Sequence, residues 1–158
     1  MKARDLMQRD VVTIDAAASL LDAHRLFVEE EISGAPVVDE DGHVVGVVSA
    51  RDLLRAVEEE RDTALVQTNY FRDSEEFSGP DWQGAPEDFQ DRLASRTVAE
   101  AMSPDVISVA PDASVAEVAR TLRAHRVHRV LVATDEALVG LLSAFDLIAL
   151  LEKDAPGR

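Results

Sequence analysis

The chain has 158 residues, a hydrophobic fraction of 46% and no cysteine. That is one domain by length, or two small halves sharing a core, apolar enough to fold and without disulfides, thiol catalysis or thiolate-bound zinc. A formal charge of -15 weighs against nucleic-acid backbones and anionic membranes, which draw affinity from Lys and Arg, and leaves room for a small anion in one locally basic pocket. The N-terminus, Met1-Lys2-Ala3-Arg4-Asp5, has no signal-peptide apolar run, and no stretch approaches the roughly 20 apolar residues of a span. The expectation is a soluble, cytoplasmic protein.

The first element is a β-branched run, Val11-Val12-Thr13-Ile14, expected as a strand. Ser19 with Asp22 has capping-box spacing, and Leu20, Ala23 and Phe27 form the apolar stripe of the helix that follows. Ala35-Pro36-Val37-Val38, the turn Asp39-Glu40-Asp41-Gly42, and Val44 to Val48 read as a hairpin. A second helix is expected from Ser49.

The same order then recurs. Shifted by 95 positions, Met7 falls on Met102, Asp10-Val11 on Asp105-Val106, Ala18-Ser19 on Ala113-Ser114, Arg25 on Arg120 and Val37 on Val132. After one deletion in a turn the shift is 94, and Val45-Gly46, Ser49-Ala50 and Asp52-Leu53 meet Val139-Gly140, Ser143-Ala144 and Asp146-Leu147. The second copy therefore has its strand at Val106 to Val109, a helix capped by Ser114 and Glu117 with apolar Val115, Val118, Ala119 and Leu122, a hairpin from Val130 to Leu142, and a last helix from Ser143. A unit of about 50 residues buries too little surface alone, so two copies facing each other are expected to form one pseudo-twofold module.

Residues 58–95 belong to neither copy. Eleven acidic and three basic residues suit a solvated linker, yet five of the seven aromatics lie here: Tyr70, Phe71, Phe77, Trp82 and Phe89. Disordered linkers are aromatic-poor, so part of the insert is expected to pack, as a clasp, a gate or a docking site. Glu58 to Val66 reads as a helix extension and Asp73 to Pro86 as loop.

Three stretches carry a resemblance. Met7 with Asp10 to Ile14, Ile32-Ser33-Gly34-Ala35-Pro36-Val37-Val38-Asp39, and Gly46-Val47-Val48-Ser49-Ala50-Arg51-Asp52-Leu53-Leu54 resemble a CBS (cystathionine-β-synthase) repeat. Ala101 to Val106, His128 to Val132 and Gly140 to Leu147 resemble a second. The resemblance implies an α/β (α+β) fold, two β-α-β-β-α CBS repeats packed as a pseudo-twofold pair of the stand-alone prokaryotic type. The boundaries expected are 1–57 and 96–158 for the repeats, with 58–95 between them.

It further implies a regulatory module, not an enzyme, whose clefts take AMP, ADP, ATP or S-adenosylmethionine, with or without Mg²⁺. A homodimer and an unidentified regulated protein are the implied partners, and a nucleotide-free dimerisation or docking module is the alternative. Ser33, Gly34, Ala35 and Pro36 would frame adenine in one copy, and Val127, His128, Arg129 and Val130 in the other. Ser49 and Asp52, with their counterparts Ser143 and Asp146, would hold phosphate and ribose. Thr13, Ser108 and Arg51 complete the candidate set. Ser-x-x-Asp at a helix start is equally a plain cap. In AMP-sensing members of the family a His-Arg pair at this place contacts phosphate, and His128-Arg129 is similar. The first copy has Ser33-Gly34 instead, so asymmetric binding anchored by Arg129 is expected. Leu131 departs from the usual proline, and Phe145 stands where the first copy has Arg51; Phe145 and the insert aromatics are the side chains expected to fill a cleft that binds nothing.

The signatures G-x-G-x-x-G, G-x-x-x-x-G-K-[ST] and G-x-S-x-G are absent. His125 and His128 sit three apart without a third ligand nearby in sequence, so no metal site is expected.

Overall fold

The computed structural model describes residues 1–58, 89–135 and 137–154. The expectations placed on Tyr70, Phe71, Phe77, Trp82, the Glu58–Val66 extension and the Asp73–Pro86 loop lie outside them.

The chain divides into two compact units that do not follow the sequence repeats. One comprises Val12–Val106, the other Met1–Val11 with Ile107–Arg158. In the first, β1 (Ile14–Asp15) pairs in parallel with β2 (Gly34–Val38), which pairs antiparallel with β3 (Val44–Ser49). Helices α2 (Leu20–Glu30), α3 (Ala50–Glu58), α4 (Phe89–Ala94) and α5 (Val98–Ala101) complete this unit. In the second, β4 (Ser108–Val109), β5 (Arg129–Ala133) and β6 (Leu138–Ser143) repeat the sheet, with α1 (Ala3–Leu6), α6 (Val115–His125) and α7 (Ala144–Asp154). The architecture is mixed α and β, two small three-stranded sheets with helices.

The expected order of each copy holds, with shorter first strands. Val11 to Thr13 lie outside β1, because only Ile14 and Asp15 reach a partner on β2. The capping boxes are formed: Ser19 Oγ accepts from Asp22 N–H at 3.0 Å, and Ser114 Oγ from Glu117 N–H at 3.2 Å. Each helix ends on a left-handed residue, Glu31 (φ 53°) or Arg126 (φ 54°), which turns the chain into the next strand. Leu20, Ala23 and Phe27 are buried as the stripe requires. In the second copy Val118 and Leu122 are buried, while Ala119 is exposed.

The short helices α1 and α5 are where the sequence repeats exchange segments. Ala3 N–H donates to Ala113 C=O and Arg4 N–H to Pro111 C=O, and Gln8 bridges to Leu141. Equivalently, Val98 and Ala99 N–H donate to Ala18 and Ala16 C=O, and Val47 bridges to Ser103. Methionine thioethers seat these segments against glycines: Met7 lies over Gly140, and Met102 over Gly46.

Helix α4 has no described counterpart in the other unit. It packs on α2 and α3 through Phe89 and Leu93, both buried with Phe27, Leu53 and Val57. Its Arg92 donates to the Val57 carbonyl near the end of α3 at 2.9 Å. Among the described residues no helix is long and apolar enough to cross a membrane.

Candidate functional site

Each unit gathers its own candidate residues at one end of its sheet. In the first, Ser33 C=O accepts from Ala50 N–H at 2.8 Å, fixing the start of α3 beside the start of β2. Gly34 then pairs with Ser49, Ala35 with Val48 and Pro36 with Val47. Asp52 Oδ2 accepts from the Ser49 amide at 2.7 Å and from its hydroxyl at 3.0 Å. Thr13, exposed, precedes Ile14, the residue that pairs with Val37. Ala35 and Pro36 are buried.

The other unit repeats the scaffold. His128 C=O accepts from Ala144 N–H at 2.8 Å, Arg129 pairs with Ser143, and exposed Ser108 pairs with Leu131. Directly opposed residues on paired strands share a face, so Arg129 and Ser143 are neighbours. Asp146 Oδ2 accepts from Ser143 N–H at 2.8 Å and from its hydroxyl at 3.0 Å. Val127 and Val130 are buried, and His128 is exposed. The cap that Ser-x-x-Asp spacing permits is therefore formed in both copies, and it engages one carboxylate oxygen in each.

The second oxygen distinguishes them. Asp52 is 3% exposed, and its Oδ1 lies 3.5 Å from Arg55 Nη1, one helical turn on. At the position of Arg55 the second copy has Ala149, and Asp146 is only half-buried. Among the described residues Asp146 Oδ1 has no hydrogen-bond partner, so its lone pairs stay available to an added donor.

Charge differs more sharply still. Glu29, Glu30, Glu31, Ser33 and Gly34 lead into the first site; their counterparts are Ala124, His125, Arg126, His128 and Arg129. Val28 corresponds to Arg123. Three consecutive carboxylates thus stand where the other unit has Arg126 beside Arg123, His125, His128 and Arg129. Neither Arg55 nor this reversal is among the sequence-predicted features; the signals were an i, i+3 Asp–Arg spacing and the side-by-side charges of the aligned copies.

Arg51 is exposed, as is Phe145 at 63%, so Phe145 does not fill the space beside Ser143. His125 Nδ1 sits 3.0 Å from Thr121 C=O, a local helical contact.

The CBS domain model matches residues 3–59 and 98–153. This chain belongs to the CBS domain family. It is similar to two uncharacterised proteins of Methanocaldococcus jannaschii. One, MJ1426, is 28% identical over 96% of this chain and 91% of its own length. The other, MJ1225, is 24% identical over 96% of this chain, which spans only 43% of that protein. Among solved structures, the CBS domain of a CBS domain containing membrane protein from Sphaerobacter thermophilus superposes with a TM-score of 0.69 at 26% identity, covering 95% of this chain and 87% of that one. Two more share the fold: CBSX2 in complex with AMP (TM-score 0.65, 22% identity, 96% of each chain) and the CBS pair of MJ0100 in complex with 5′-methylthioadenosine and S-adenosyl-L-methionine (0.62, 20%, 97% of each).

Proposed function

We propose that the chain is a regulatory module that binds an adenine nucleotide or adenosyl ligand at one working site, that of Ser108, Val127 to Val130, Ser143 and Asp146, and that it catalyses nothing. The observation that carries this is the charge reversal between two otherwise matching scaffolds. An anion approaching the first site meets Glu29, Glu30 and Glu31, whereas one approaching the second meets Arg123, Arg126 and Arg129. Arg129 supplies the donors that a phosphate needs, and the second oxygen of Asp146 an acceptor for ribose hydroxyls. The complexes of CBSX2 with AMP and of MJ0100 with S-adenosylmethionine support the ligand class.

Ser33 to Pro36, Ser49, Arg51, Asp52 and Thr13 form the weaker site, since the Asp52 carboxylate is already engaged by Ser49 and Arg55. Mg²⁺, where it contributes, would accompany the phosphates. The module pairs with a second copy and acts in the cytoplasm on a partner or on its own assembly, and its response is bounded by the ligand's difference in affinity for two states.

Calorimetric titration with AMP, ADP, ATP and S-adenosylmethionine tests the assignment. One of the four is expected to bind one per chain. Arg129→Ala should weaken it about 10- to 150-fold, the equivalent of about 1.5–3 kcal/mol for a charge-assisted hydrogen bond, while Asp52→Asn leaves it within threefold. Unchanged affinity in Arg129→Ala overturns the assignment. No binding by any of the four favours a docking module.

A further inference from the structure

The chain has no cysteine, so three thioethers, Met1, Met7 and Met102, are its only sulfur. Met1 is 70% exposed. The other two are half-buried at equivalent places of the two repeats, each laid over a strand glycine. Met7 brings Sδ to 2.6 Å from where a Cβ of Gly140 would stand, so its sulfur fills the space that a side chain there would need. Little else of this segment is sunk into the unit. From Lys2 to Gln8 only Ala3 is fully buried, and the backbone bonds between Gln8 and Leu141 follow directly on Met7. Met102 is better secured. It packs against the core of its own unit, beside fully buried Val98 of the same segment. Its neighbours Ala101 and Ser103 are half-buried, whereas Gln8, Arg9 and Asp10, which follow Met7, are exposed.

We propose that Met7 is an oxidative modification site: a peroxide converts its thioether to the sulfoxide, and the sulfoxide releases residues 2–8 from Gly140 and β6. In that step a sulfur lone pair attacks one peroxide oxygen, the O–O bond breaks and an S–O bond forms. The other oxygen leaves as hydroxide and takes up a proton to become water, so sulfur is oxidised and the peroxide reduced. The product replaces a flexible apolar side chain by a polar one with a strong acceptor oxygen. Over Gly140 that oxygen gains no ready donor, because the Leu141 N–H already donates to the Gln8 carbonyl at 2.9 Å. A polar group held without a partner favours hydration, and hydration here means leaving the seat. The change is reversible by an outside dithiol through methionine sulfoxide reductase, the sulfoxide oxygen leaving as water while the dithiol becomes a disulfide. With no cysteine to compete, peroxide acts on sulfur in this chain through methionine alone.

Titration of the full chain with hydrogen peroxide, followed by peptide mass mapping and hydrogen exchange, tests the site. Met1 is expected to oxidise first, Met7 next and Met102 last. Once Met7 is oxidised, exchange in Leu138–Ser143 should run about tenfold faster, the equivalent of about 1.4 kcal/mol, while Val44–Ser49 keeps its rate as long as Met102 stays reduced. Methionine sulfoxide reductase with dithiothreitol should restore the starting rate. Met7→Leu keeps an apolar side chain of similar volume without the reactive sulfur, and its exchange should ignore the same dose of peroxide. Met7→Gln, which sets a polar group on the seat, should exchange fast with no peroxide at all. A Met7 that stays reduced after Met1 is fully converted, or that converts only after Met102, overturns the modification site. Complete oxidation of Met7 with unchanged exchange overturns the release. Faster exchange in peroxide-treated Met7→Leu assigns the effect to another residue and overturns it equally.

Discussion

The tightest steric positions are Gly46 and Gly140, the residues on which the exchanged segments rest. A Cβ at Gly46 would lie 2.5 Å from the Ser103 carbonyl oxygen and 2.8 Å from Met102 Sδ. At Gly140 it would lie 2.6 Å from Met7 Sδ, 2.8 Å from Met7 Cγ and 2.9 Å from the Gln8 carbonyl oxygen. Both sites hold strand backbone, where alanine is conformationally unremarkable, so the cost is overlap rather than dihedral strain. Overpacking of this kind costs about 1–3 kcal/mol. Gly46→Ala is expected near the top of that range, because its nearest obstacle is backbone hydrogen-bonded to Val47. Gly140→Ala should fall lower, since a methionine side chain is flexible and yields first. Urea unfolding of the two variants checks the order, and adding Met7→Ala should recover part of the Gly140→Ala loss but none of that at Gly46.

At the scale of elements, α4 shows most clearly what local sequence could and could not convey. The stripe of Leu20, Ala23 and Phe27 was legible because three turns of one helix repeat a period. A six-residue helix has no such repeat, and Phe89 was visible only as an aromatic that ought to pack. For the same reason the four-residue helices α1 and α5 left no pattern, and Ala119 was read as core because a methyl group fits either side of a helix. The Ser-x-x-Asp pairs of the candidate site were legible from spacing; the fate of their second oxygens depends on burial and was not. The α2–α4 contact also has a pH signature. Burial first, and Arg25 second, hold the His24 imidazole below its usual pKa of 6.5. The folded state therefore favours the neutral ring, and its stabilisation is complete above pH 6.5 and declines as pH falls below that value. The urea midpoint is expected to drop between pH 7.5 and pH 5.5, and the drop should shrink in His24→Gln. An equal drop in that variant would assign the effect elsewhere.

Across the whole molecule, the exchange of short segments makes sequence repeat and folded unit two different things. Residues 1–11 resemble the start of the first copy, yet their hydrogen bonds run to Pro111, Ala113 and Leu141 of the second. Residues 96–106 do the converse, through Ala16, Ala18, Leu20 and Val47. Cooperative opening follows contacts and not sequence order, so a lesion at one terminus should loosen the distant copy. Met7 gives the sharpest case, because removing its thioether takes away the cover over Gly140 and leaves Gly46 untouched. In Met7→Ala, hydrogen exchange is expected to accelerate in Leu138–Ser143 while Val44–Ser49 keeps its wild-type rate. Met102→Ala should produce the mirror result, faster exchange in Val44–Ser49 alone. Were each variant to loosen the strand of its own sequence repeat, the contacts through α1 and α5 would carry no cooperative energy. The expected pattern would mean that each unit completes its sheet with a segment borrowed from the start of the other repeat, so that neither repeat can open without exposing its neighbour's strand.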